Sequence, residues 1–223
     1  MAMVGAAALA MWWDMAPSMR DEFEHWHTHE HFPERLALPG FLRASRWADA
    51  NGGDGFFVVY ELQEHASLSS SEYLARLNAP TPWSRKLMPH HSNMVRSQSV
   101  VLESRGGVTA KHALTIRFSP ADAEADRESL RNFIASIATQ PGIAGAHLLR
   151  TQAPKVAATV EQQIRGSADR EADWIFVACG YDRAVVDALQ HDAFANGVRG
   201  LYTLSLAMVP ADVVSPGRND RGS

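Results

Sequence analysis

Apolar and polar runs follow one another along this chain in a fixed order, and the order occurs twice. In the first half, the unbroken apolar run of residues 5–13 is too short to span a bilayer and predicts a buried strand. A stretch with acidic residues near its start, residues 18–32, then predicts a helix with Ser18 as its N-cap. Next come "LPGFLRASRW", the strand "GFFVVYEL", a polar helical stretch over residues 69–77 and the strand-like "SQSVVLES". The second half repeats this with "KHALTIRFS", the helix "DRESLRNFIASIA", "QPGIAGAHLLRT", "DWIFVACGY", the short helix "AVVDALQ" and "GLYTLSLAMVP".

Two Pro-Gly pairs mark the repeat. Pro39-Gly40 recurs as Pro141-Gly142, an offset of 102, and the last strands of the halves are offset by about as much. Each half is therefore β-α-β-β-α-β, the ferredoxin-like unit. "FFVVY" and "WIFVACGY" show little polar alternation, so both sheet faces are expected to be covered. Two such units in one chain can stack sheet to sheet. The α+β chain divides accordingly into a first unit (1–104), a second unit (105–210) and a flexible tail (211–223). "ANGGDG" (50–55) is read as a hairpin turn. The polar excursion of residues 151–173 is long enough to be either functional or mobile.

Composition narrows the function. The 223 residues are 46% apolar and 21% charged, as in ordinary soluble domains. A net charge of −4 without a basic cluster excludes a general nucleic-acid binder. The apolar N-terminus lacks the positive region of a signal peptide, its first basic residue being Arg20. The single cysteine, Cys179, cannot form an internal disulfide and sits in an apolar run, as a packed thiol would. A cytoplasmic protein without a membrane partner is expected.

The candidate chemistry lies in "EHWHTHEHFPERL", residues 24–36, which holds four of the ten histidines and three glutamates. On a wheel of about 100° per residue, Met19, Phe23 and Trp26 form the buried stripe. Glu30 falls in the middle of that stripe, at roughly 20°, while His27 and His31 border it at roughly 80° and 120°. His25 and His29 point to solvent. A carboxylate on an apolar face must be paired, line a cavity or have emerged into water beyond the helix end at Pro33. No metal is expected, because an H-E-x-x-H helix would need histidine where Pro33 stands. An acid–base site asks for less: Glu30, His31 and His27 as the proton-transfer groups. Arg35, Tyr60 and Trp26 are the candidate binding residues, with Trp83 and His90 from "APTPWSRKLMPHHSNMVR" (79–96). That segment is read as ordered and mostly non-helical, and Arg85, His91 and Asn93 are its other polar residues that could close over a site.

These segments resemble the EthD-like members of the dimeric α+β barrel superfamily. The pattern is Trp26, Glu30-His31, Pro33-Glu34-Arg35 and Pro39-Gly40-Phe41, and it covers residues 10–100. The second half is similar in architecture only, since "LRNFIASIATQPG" has no Glu-His. The resemblance implies two ferredoxin-like units forming one barrel, one intact site per chain, and a pocket between sheet and helices. Members include isomerases, dehydratases, decarboxylases, cofactor-independent oxygenases and haem enzymes. The expected function is a cofactor-free lyase, isomerase or dehydratase acting on a small apolar or aromatic carbonyl or lactone compound. The alternatives are a cofactor-independent oxygenase and a non-catalytic small-ligand or stress-related protein. No motif supports haem. A homodimer is compatible with the sequence.

Overall fold

A computed structural model describes residues 3–152, 158–166 and 170–213. Eight antiparallel strands close into one barrel. They are β1 (Ala7–Met15), β2 (Phe41–Asp49), β3 (Gly55–Leu62), β4 (His91–Gly106), β5 (His112–Phe118), β6 (Ile143–Thr151), β7 (Trp174–Gly180) and β8 (Val198–Met208). Around the barrel their order is β1-β3-β2-β8-β5-β7-β6-β4. Each half thus contributes four neighbouring strands in the same relative order, 4-1-3-2 and 8-5-7-6. The halves meet edge to edge through β2–β8 and β4–β6 pairs, where the sequence had suggested stacked sheets. Closure removes the exposed strand edges that two separate sheets would leave.

Period-two alternation builds two layers from each strand. In β1, Ala8, Ala10 and Trp12 point into the barrel, which Trp47, Phe57, Val59, Ile175 and Cys179 also fill. Trp12 and Trp47 both stack on Phe57, with ring centroids 5.0 and 5.1 Å apart. Cys179 is fully buried here, and burial raises its thiol pKa, as befits a packed core group. The other face of β1, with Leu9 and Trp13, packs on the first-half helices, and a matching layer covers the second half.

The helices are α1 (Arg20–Trp26), α2 (Phe32–Leu36), α3 (Ser71–Asn78), α4 (Pro82–Leu87), α5 (Ala123–Ile137), α6 (Val160–Arg165) and α7 (Arg183–Asp187). Four details differ from the sequence expectation. The first helix has no side-chain N-cap: Ser18 lies in a 3₁₀ turn, Pro17–Met19, before it. Nor does it end at Pro33; a π turn, His27–His31, leads into α2. Residues 79–96 are largely regular, with Thr81 capping α4 and β4 beginning at His91. Of the expected tail, Val213 packs on the first-half core, and residues 214–223 lie outside the described part.

Gly40 and Gly142, the glycines of the repeated pair, both have positive φ, +83° and +94°. That conformation lets the chain leave each helix and turn directly into β2 and β6, and side-chain-bearing residues rarely adopt it. Among the described residues no helix is long and apolar enough to cross a membrane.

Candidate active site

The π turn sets the site. The Phe32 N–H bonds to the His27 carbonyl, a five-residue step that widens the helix by one residue. Two local features favour it. Pro33 has no N–H to contribute to the helical ladder. The Glu24 carbonyl also accepts from the Thr28 hydroxyl (2.6 Å) and from Arg46 Nη1 (3.1 Å), side chains that compete with the regular backbone pattern. A turn closed by such a bond holds between roughly four and five residues, so positions four apart nearly eclipse. His27 and His31 are accordingly stacked, with centroids 5.4 Å apart and planes at 18°.

Both histidines line a pocket between the barrel wall and the helices. It holds about 760 Å³ of empty space, mouth included. The floor comes from alternate residues of β1 (Leu9, Met11, Trp13) and β4 (Met94, Arg96, Gln98), with Tyr60 from β3. Trp26, His27, His31 and Arg35 form one wall, Tyr73, Leu74 and Leu77 of α3 another. The roof is α6 with its cap, Thr159, Glu161, Gln162 and Arg165, from the second half of the chain. The excursion expected to be functional or mobile thus includes a helix over the first-half pocket.

Burial dominates the electrostatics. It holds the pKa values of His27 and His31 well below the usual imidazole range, helped by neighbouring positive charge, so both are neutral at pH 7. Their Nδ1 atoms, the Tyr60 hydroxyl and the Trp13 indole nitrogen are buried without a hydrogen-bond partner among the described residues. Burial likewise raises the Tyr60 pKa, keeping it a phenol. His91 also lines the pocket, and its Nδ1 lies 3.1 Å from the carbonyl oxygens of both Leu87 and Met88. Carbonyls only accept, so Nδ1 carries the proton and Nε2 the free lone pair. Burial pulls the His91 pKa down to about 4 despite those hydrogen bonds.

Arg35 is 3% exposed and bonds Glu161 at 2.5 Å and Glu34 at 3.4 Å. Burial alone would lower its pKa; the facing carboxylates outweigh this and raise it.

Of the sequence-predicted residues, the fold brings His27, His31, Trp26, Arg35 and Tyr60 to one pocket. Three others lie elsewhere. Glu30 stands behind the wall, where its Oε1 accepts from Trp26 Nε1 (3.0 Å) and the Thr81 hydroxyl (2.5 Å). A wheel at a constant 100° had placed it inward, but the π turn rotates it beside Trp26. Trp83 bonds Glu22 (3.1 Å) and meets His25 edge-on outside the pocket. His90 is exposed, because β4 starts one residue later and turns His91 inward instead. Arg96, Gln98, Tyr73 and the α6 residues were not anticipated. For Arg96 and Gln98 a signal existed in the alternation of "MVRSQ". Among the described residues no three His, Cys, Asp or Glu side chains form a metal-binding group.

The chain has counterparts among proteins of known structure. Its barrel superposes on an anthrone oxidase-like protein with a TM-score of 0.63, at 8% identity and covering 98% of this chain and 99% of the other. The fold is that of the dimeric α+β barrel. A candidate monooxygenase of Fusobacterium nucleatum superposes at 0.60 (9% identity, 93% and 96% covered). One of Lactobacillus acidophilus superposes at 0.54 (10% identity, 92% and 97% covered). The chain matches no protein-family model and no curated protein. At such identities the likeness is one of fold, and function rests on the site.

Proposed function

We propose that this protein is a small-molecule oxygenase that uses no cofactor. Its substrate would be a flat aromatic carbon acid of the anthrone type, with an acidic CH₂ between aromatic rings and opposite a carbonyl. The observation that carries the reading is His91, a neutral imidazole whose tautomer is set by two backbone carbonyls at the edge of an aromatic pocket. The fold likeness to oxygenase-type proteins favours this reading over a lyase or isomerase. Within the superfamily we place the chain with the EthD-like proteins, on the Trp26 to Phe41 pattern, and read its halves as fused ferredoxin-like units.

In the proposed reaction His91 Nε2 takes a proton from the substrate CH₂. An imidazole with a pKa near 4 is a weak base, so the substrate must itself be acidic, and the new anion beside the ring stabilises the imidazolium. The unpartnered Tyr60 hydroxyl can donate to the developing enolate oxygen. His27 and His31, both neutral, line the same wall and can accept or donate at their free Nδ1 atoms. The carbanion gives one electron to dioxygen, and the two radicals combine into a C–O bond. The peroxide anion so formed takes the proton back from the His91 imidazolium, and the hydroperoxide then loses its terminal OH together with the second hydrogen of the carbon, as water. In sum, CH₂ and O₂ become C=O and H₂O.

An oxygen electrode tests this with a hydroxylated anthrone. Uptake above the uncatalysed rate, with one quinone formed per O₂, is expected. Deuterium exchange at the CH₂ with no added oxygen uptake would instead identify a lyase or isomerase.

A further inference from the structure

We infer that Arg96 forms an anion subsite for a carboxylate borne by the aromatic ligand; this deepens, and for its link to turnover rests on, the oxygenase reading. Arg96 lines the pocket floor and is 9% exposed. Its Nη2 donates to the Tyr73 hydroxyl at 2.9 Å. The Gln98 amide oxygen, in the orientation that satisfies that side chain, accepts from the same guanidinium. Both partners are neutral, and among the described residues no carboxylate pairs with Arg96.

The contrast with Arg35 decides the assignment. Arg35 has its charge met by Glu161 at 2.5 Å and Glu34 at 3.4 Å. It is therefore occupied by the protein itself, as a bridge from wall to roof. Arg96 is a buried charge without a counter-ion, an arrangement that costs free energy unless a ligand completes it. The lining histidines are neutral, so they neither compete with Arg96 for an anion nor replace its charge. Gln98 spans Nη1 and Nη2 and Tyr73 takes the other Nη2–H, which fixes the planar guanidinium and leaves its Nε–H and outer Nη1–H to donate singly to a carboxylate. The rest of the floor, Leu9, Met11 and Met94, suits an aromatic ring.

Calorimetric titration of the full chain with 2-naphthoate and its neutral isostere 2-naphthamide tests this at pH 7.5. The naphthoate should bind roughly 10- to 100-fold more tightly, the range of a charge-assisted hydrogen bond in a desolvated site. Arg96→Met should abolish the preference, lowering naphthoate affinity far more than naphthamide affinity. If that variant does not fold, Arg96→Lys keeps the charge but loses the donors held in place by Tyr73 and Gln98, and should reduce the preference for naphthoate. Equal affinities in the wild type, no binding of either compound, or a preference undiminished by substitution of Arg96 overturns the subsite. The oxygen-uptake assay fails or succeeds independently: Arg96-dependent naphthoate binding without oxygen uptake retains the subsite and removes the oxygenase.

Discussion

Glu161 Oε1 lies 2.5 Å from Arg35 Nη2, across 126 positions of sequence. The arginine belongs to the first-half wall and the glutamate to a short helix inserted in the second half. Both side chains are buried, so this ion pair is the fixed point at which the roof meets the site. Val160 adds a second tie, its N–H donating to Asn78 Oδ1 at 3.1 Å.

Removing one side of a buried pair leaves the other charge uncompensated, at a typical cost of about 3–5 kcal/mol. Glu34 still faces Arg35, so Glu161→Ala should cost about 3 kcal/mol, the lower end of that range. Chemical denaturation measures this, and affinity for the neutral 2-naphthamide should fall in parallel as the roof loosens. An unchanged midpoint with unchanged affinity would remove α6 from the site.

The adjacent histidines should behave oppositely. His91→Gln removes the base and should lower turnover about 100- to 10,000-fold, the usual worth of general acid–base catalysis. His90→Gln, at an exposed position, should leave both turnover and melting temperature near wild type. Steady-state kinetics on the anthrone probe decide between them, and an active His91→Gln enzyme would move the base to His31 or His27.

Glu30 should act through Trp26. Glu30→Gln keeps an oxygen to accept from the indole, so turnover should change less than 10-fold, well short of the loss of a catalytic base. Glu30→Ala frees the indole N–H and should alter tryptophan fluorescence and raise KM more than it lowers kcat. A Glu30→Gln variant as inactive as His91→Gln would restore the carboxylate as a proton-transfer group.

Acid should destabilise the fold before it protonates the site. Burial holds His27 and His31 well below 6.5 and both His91 and His147 down to about 4. Between about pH 6.5 and 4 the unfolded chain therefore binds more protons than the folded one, and stability falls as pH falls. Each histidine contributes at most about 1.4 kcal/mol per pH unit. Thermal melts from pH 8 to 4.5 should be flat down to about 6.5 and then decline. Turnover should show no acid limb near pH 6.5. A melting temperature independent of pH down to 5 would mean that these rings are hydrated.

Local pattern alone determined much of this protein. Strand positions follow from apolar runs such as "GFFVVYEL" and "WIFVACGY", and both turns into β2 and β6 from Pro-Gly. The repeat in the order of elements was legible because each half supplies four strands of the barrel and the helices that cover them. The candidate wall was legible too, through His27, His31 and Arg35 around Trp26. Tertiary structure decided the rest. A helical wheel assumes one rotation per residue, and the π turn before Pro33 breaks that assumption, moving Glu30 out of the pocket. Which of His90 and His91 turns inward depends on the residue at which β4 begins, and their identical side chains carry no information on it. Arg96 and Glu161 gain their roles from contacts across the fold. Burial fixes which charge is paired and which is left for a ligand, and burial at a distance of 126 residues is a property of the folded chain.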